Sequence, residues 1–207
     1  VMMHFQIRTL LNQFLKDYPK VQIELELTSR RVDLIHDDID LAIRTNFQAN
    51  EDSSLIVRDV IKTTHCLVAS PELLKGRHIQ HFTELHEFPS VVLGMQKSQY
   101  YWHLNNREHG EVIDIPLQPR IKSNDLAGVY YAVCDGFGIA DLPYLAVEQD
   151  IKQGKLIHVL PEWCSNLGTV QLVYASRKGQ RLVMEKLIDY LVEGLRDLAK
   201  DHLGYAL

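Results

Sequence analysis

Ser123-Asn124-Asp125-Leu126-Ala127, running on to Cys134-Asp135-Gly136-Phe137-Gly138-Ile139-Ala140-Asp141-Leu142-Pro143, reads as strand, polar turn, helix, glycine turn, strand. Asn124 and Asp125 are helix-capping residues, and the apolar residues after them carry a helix to Cys134. Gly136 and Gly138 then allow the turn from which Ile139 and Ala140 leave as a buried strand. With residues 120–123 as the incoming strand, the stretch is a β-α-β unit. A helix start of this kind leaves backbone N–H groups facing a cleft, which suits a small polar or anionic guest.

Working outward, Ile7, Leu10, Leu11, Phe14, Leu15 and Tyr18 recur at helical spacing until Pro19 stops the run. Val21-Gln22-Ile23-Glu24-Leu25-Glu26-Leu27 alternates apolar and polar residues, the pattern of a strand with one wet face. Ser29 is placed to cap a short helix through Ile35, and residues 40–43 form a brief strand ending in Arg44, a second β-α-β unit whose strands should be parallel. Residues 45–54 read as a loop, and 55–61 and 65–69 as strands. Ser70-Pro71-Glu72 opens a helix with proline in the first turn.

Residues 71–172 have the look of a second lobe. Thr83-Glu84-Leu85 starts a short helix, Val91-Val92-Leu93 is a buried strand, and 100–104 with 111–115 make a hairpin. Residues 157–160 form a further strand. Val170-Gln171-Leu172-Val173-Tyr174 leads back towards the first lobe, where a helix from Arg181 carries Met184, Leu187, Ile188, Leu191, Leu195 and Leu198 at helical spacing.

The composition bounds the function. The 207 residues can bury a sizeable core and hold one large or two small domains. A net charge of −5 with no dense Lys/Arg run argues against direct DNA contact, because a duplex binder usually presents a basic face. No apolar run approaches the roughly 18 residues that span a bilayer, and no basic-then-apolar leader opens the chain. Cys66, Cys134 and Cys164 are odd in number and widely spaced, which fits reduced thiols in a cytoplasm.

The enzyme and metal readings lack their motifs. His78, His81 and His86 are close in sequence, but neither HExxH nor CxxC occurs, so no metal is expected. No G-x-S-x-G nucleophile elbow is present, and Gly136-Phe137-Gly138 lacks the third glycine of a dinucleotide fingerprint and follows a helix. Cys134 beside Asp135 reads as a packed, inert thiol, since the neighbouring carboxylate disfavours a thiolate. Arg44 either clamps a carboxylate at a strand end or pairs with Asp37, Asp38 or Asp40. Ser29 and Asn124 are helix caps that can also face a cleft.

Taken in order, Tyr18-Pro19, Arg31-Val32-Asp33-Leu34, Asp40-Leu41-Ala42-Ile43-Arg44, Asp52-Ser53-Ser54-Leu55, Val68-Ala69-Ser70-Pro71, Gly136-Phe137-Gly138-Ile139 and Leu160-Pro161 with Trp163 resemble the effector-binding domain of LysR-type transcriptional regulators. The resemblance covers most of the chain and departs from the family at Asp141, where an apolar residue is usual. It implies an α/β fold of periplasmic-binding-protein type II, two Rossmann-like subdomains joined by two crossover strands with a small-molecule cleft between them. Subdomain I is then 1–68 plus 173–207, with its opening strand missing, and subdomain II is 69–172. The N-terminal winged helix-turn-helix is not in this chain.

By position, the resemblance puts Met2, Thr28, Ser29, Arg44, Thr45, Gly94, Asn124 and Phe137 at the ligand. It implies a cytoplasmic, effector-sensing, non-enzymatic domain without cofactor or membrane contact. The domain would form a homodimer or homotetramer through residues 4–27 of one copy and 126–135 of another, and would reach DNA only through the absent module. A periplasmic-type solute-binding protein shares this architecture and is the alternative. An enzyme on the same fold, such as a bilane-type deaminase or a dehydratase, needs a nucleophile or acid that the sequence does not offer.

Overall fold

The computed structural model describes residues 2–28, 32–46, 55–94, 99–175 and 182–200. In chain order its elements are α1 (Met2–Asp17), β1 (Ala42–Asn46), β2 (Leu55–Ala69), α2 (Pro71–Leu74), a 3-10 turn (Phe82–Glu87), β3 (Ser90–Leu93), β4 (Tyr100–Asn106), β5 (Val112–Leu117), β6 (Pro119–Ser123), α3 (Leu126–Cys134), β7 (Ala140–Pro143), α4 (Tyr144–Lys152), β8 (Ile157–Val159), β9 (Trp163–Ala175) and α5 (Leu182–Lys200). The chain forms a central unit, Thr64–Leu167 with Val1–Met2, and a terminal unit, Met3–Thr63 with Gly168–Leu207. It passes between them within β2 and within β9.

Both partings fall a little upstream of the positions read from sequence. Leu67 belongs to the core of the central unit and Leu172 to that of the terminal unit. β2 is also one continuous strand of 15 residues where two were expected. The β-branched Thr63 and Thr64 keep it extended across the join and are themselves buried.

In the terminal unit, Leu11 of α1 packs with Ile188, Leu191, Val192 and Leu195 of α5 over Leu172 of β9 and Val60 of β2. The helices approach closely where α5 has Gly194: a β-carbon there would stand 2.5 Å from a methyl of Leu10. Phe14 stacks on Tyr18 at 4.5 Å and meets Tyr190 at 5.6 Å. β1 pairs antiparallel with β9, Arg44 lying opposite Gln171.

Two expectations fail here. Residues 21–28 form no strand: Val21 and Ile23 are half-buried, but Leu25 and Leu27 are 50% and 65% exposed. Alternation alone does not make a strand without a hydrogen-bonded neighbour, and β1 takes β9 as its partner instead. The parallel β-α-β unit expected over this region is therefore absent among the described residues. The helix expected after Ser29 is a turn over 34–38, capped by Asp33, whose Oδ1 accepts from the N–H groups of Ile35 (3.1 Å) and His36 (3.0 Å). Residues 29–31 lie outside the described residues.

The central unit holds the β-α-β unit read from sequence. β3 and β6 are parallel, from Ser90 opposite Pro119 to Leu93 opposite Ser123. Ile139 bridges in parallel to Ser90. β7 and β8 pair antiparallel with β2, and β4 pairs antiparallel with both β5 and β9. The core gathers Leu67, Leu74, Trp102, Leu104, Ile139, Leu160 and Trp163. α4 escaped the sequence reading because it starts directly after Pro143 with no side-chain cap.

Candidate functional site

The parallel strands β3 and β6 end together, and ligands of parallel sheets collect at carboxyl ends of this kind. The Gly94 N–H donates to the Ser123 carbonyl (2.7 Å), and the Tyr100 hydroxyl donates to the Gly94 carbonyl (3.3 Å). Gly94 has φ +118°, a conformation that side-chain-bearing residues rarely adopt. Asn124 follows, exposed, at the turn into α3. Gly94 and Asn124 are thus brought together on one rim.

The start of α3 is not open to an anion. The Asp125 carboxylate accepts from the N–H groups of Ala127 (3.1 Å) and Gly128 (3.0 Å), and its own N–H donates to Ser123 Oγ (3.0 Å). These are the donors that an anionic guest would need, and they already face a negative charge. The anion-binding role expected of this helix end is corrected accordingly. A β-carbon at Gly128 would stand 3.1 Å from Ser123 Oγ, so the glycine lets the cap close tightly.

Phe137 is not on this rim. It lies beyond the far end of α3, its ring 5.1 Å from the guanidinium carbon of Arg120 near the start of β6. From Arg120 to Asn124 the chain climbs β6, roughly 13 Å at a strand's rise per residue. Phe137 anchors the lower turn, where its N–H donates to the Ala132 carbonyl (2.9 Å).

In the terminal unit, Arg44 and Thr45 are half-buried on β1, and Thr28 is exposed at the end of the irregular segment 21–28. Met2 opens α1, and Ser29 lies outside the described residues.

One polar cluster of the central unit was not foreseen. Ser165 Oγ donates to Asp141 Oδ2 (2.5 Å), His65 Nδ1 lies 3.3 Å from the same oxygen, and Thr64 Oγ1 donates to the Ser165 carbonyl (2.9 Å). The one signal in the sequence was Asp141, a charge inside an apolar strand. The order of contacts rules out a nucleophile of the serine-histidine kind, since the hydroxyl bonds to the carboxylate and has no imidazole as base. Cys66 beside it is inert, its thiol pushed up by burial and by Asp141.

The remaining titratable groups behave structurally. The Cys134 thiol is raised, first by burial and then by the charges of Asp150 and Asp135, so it stays protonated as its sequence context indicated. The Tyr130 hydroxyl donates to buried Asp150 (2.8 Å), tying α3 to α4. His158 is lowered to about 4 by burial, with Arg107 adding to the effect. His81 caps the 3-10 turn, its Nδ1 accepting from the Thr83 N–H (3.4 Å). Among the described residues no group of three His, Cys, Asp or Glu side chains is placed to hold a metal ion. No described helix is long and apolar enough to cross a membrane.

Comparison with known proteins adds the lineage. The regulator DmlR of Escherichia coli is 30% identical over 195 residues, covering 90% of this chain and 61% of its own length. PtxR of Pseudomonas aeruginosa is 27% identical over 192 residues, covering 92% and 58%. Both are named HTH-type transcriptional regulators, and the chain spans only about three-fifths of their length. The CrgA regulatory domain of Neisseria meningitidis superposes with a TM-score of 0.79 at 27% identity, covering 91% of each chain. The AphB regulatory domain of Vibrio vulnificus gives 0.73 at 27%, covering 90% of this chain and 89% of its own. These neighbours support the type II periplasmic-binding-like α/β class. The LysR substrate binding domain profile matches residues 3–196, which takes in the rim at Gly94 and Asn124 and both crossing strands, and the chain belongs to that family.

Proposed function

We propose that this chain is the effector-sensing and oligomerising part of a bacterial transcriptional regulator. It binds a small polar or anionic metabolite and thereby changes how a separate DNA-binding module meets its promoter. The observation that carries this reading is the family match over 3–196, joined to a length about three-fifths that of relatives named HTH-type regulators. The acidic charge of −5 suits a domain that leaves the duplex to another module. Such a regulator works in the cytoplasm and catalyses nothing. A solute-binding role is less well supported, because the relatives are regulators.

Self-association has candidate faces. Leu25 and Leu27 are exposed beside α1, and Tyr131 on α3 is 57% exposed. A dimer or tetramer that pairs residues 4–27 of one copy with 126–135 of another would cover all three.

The test is a thermal-shift screen of the chain against a metabolite library. One chemical class should raise the melting temperature, by about 2.7 kcal/mol of added stability at a hundredfold excess over Kd. The hit should then alter promoter binding by the longer protein. A library without a stabilising compound, or a hit that leaves promoter binding unchanged, would overturn the reading.

A further inference from the structure

The two faces of β6 at the rim differ in charge. Ser123 Oγ looks towards α3, where the Asp125 carboxylate holds the helix start. Lys122 is the preceding residue on the strand and therefore projects from the opposite face. It is exposed, and its Nζ lies 4.7 Å from the centroid of the Tyr100 ring. The ring is buried, and its hydroxyl holds the Gly94 carbonyl, so the platform under the ammonium is fixed at the rim. No carboxylate lies within ion-pair distance of Lys122 among the described residues.

An ammonium on an aromatic face keeps its charge and leaves its outer hemisphere open to a second partner. An anion arriving on this face meets a held cation, whereas one arriving at α3 meets Asp125. We propose that Lys122, seated on Tyr100, is the cationic contact for a carboxylate-bearing effector on the central unit. The assignment rests on the effector-sensing reading above and names the chemistry of its ligand.

The experiment measures thermal shifts with acetate, succinate and benzoate against acetamide, succinamide and benzamide, at fixed ionic strength. At least one carboxylate should stabilise the chain more than its amide. Its affinity should fall at least tenfold in Lys122→Gln and be retained in Lys122→Arg, with circular dichroism verifying that both variants fold. Equal affinity in Lys122→Gln, or no carboxylate outperforming its amide, overturns the proposal. An amide that stabilises while its carboxylate does not would sink the Lys122 assignment and leave the effector-sensing reading standing.

Discussion

Replacing Gly138 by alanine should damage the central unit more than any comparable change at a glycine turn. A β-carbon at Gly138 would stand 2.7 Å from the Pro89 carbonyl oxygen and 3.0 Å from the carbonyl carbons of Pro89 and Ser90. Ordinary carbon–oxygen contact begins at about 3.3 Å, so the two segments must part by roughly 0.6 Å. The obstacles are backbone atoms and cannot rotate away. The same segments are joined by hydrogen bonds from the Ile139 N–H to the Pro89 carbonyl (2.9 Å) and from the Val91 N–H to the Ile139 carbonyl (2.8 Å). Weakening both costs about 1 kcal/mol each, and loosened packing of Val91 and Ile139 adds about 1–3 kcal/mol. The stiffer unfolded chain returns about 0.4–1 kcal/mol. The net loss is about 2–4.6 kcal/mol, or roughly 4–18 °C in Tm for a chain of this size. Gly136→Ala makes a contrast: its φ is +75°, but its new β-carbon meets only Ser70 Oγ, at 3.3 Å, among atoms closer than 3.8 Å. That change should cost about 1–2 kcal/mol, from the left-handed backbone. Urea titration followed by circular dichroism decides; a Gly138→Ala variant within 0.5 kcal/mol of the parent, on the scale of a neutral surface change, would refute the steric argument.

His158 binds its proton more weakly in the folded chain, at about 4, than at the ordinary histidine value of 6.5, so the unfolded state takes up more protons between these values. Stability present above pH 6.5 should therefore decline as the pH falls towards 4, by at most about 3 kcal/mol, and Tm against pH should flatten there in His158→Gln. Asp125→Ala removes the acceptor for two α3 N–H groups and should cost about 1 kcal/mol, read as a lower urea midpoint. Asp141→Ala deprives the buried Ser165 hydroxyl of its acceptor and should destabilise by about 1–3 kcal/mol, while Asp141→Asn keeps an acceptor and should lose less.

The elements legible in the sequence were those with local signals. The 123–143 stretch names its own cap, helix and turn, and α1 and α5 announce themselves through leucine spacing. What the sequence left out depends on partners distant along the chain. Residues 21–27 alternate correctly, yet a strand needs a neighbour, and periodicity is silent on pairing. Phe137 sits within the glycine turn in sequence but at the opposite end of β6 from Asn124, because a helix returns the chain to the foot of the sheet. The Asp141 cluster assembles residues 65, 141 and 165 from three strands. Lys122 drew no notice as one lysine among many; only its seat on Tyr100 distinguishes it.

The terminal unit is closed by pieces far apart along the chain. α1 leaves the ribosome well before Leu191, Leu195 and Tyr190, which cover its Leu11 and Phe14. At about 5–20 residues per second the interval is on the order of 10–40 s. During that time the apolar flank of α1 is bare, while the contiguous residues 64–167 can already complete their own core. Nascent chains stalled before α5 should thus be the ones that chaperones hold.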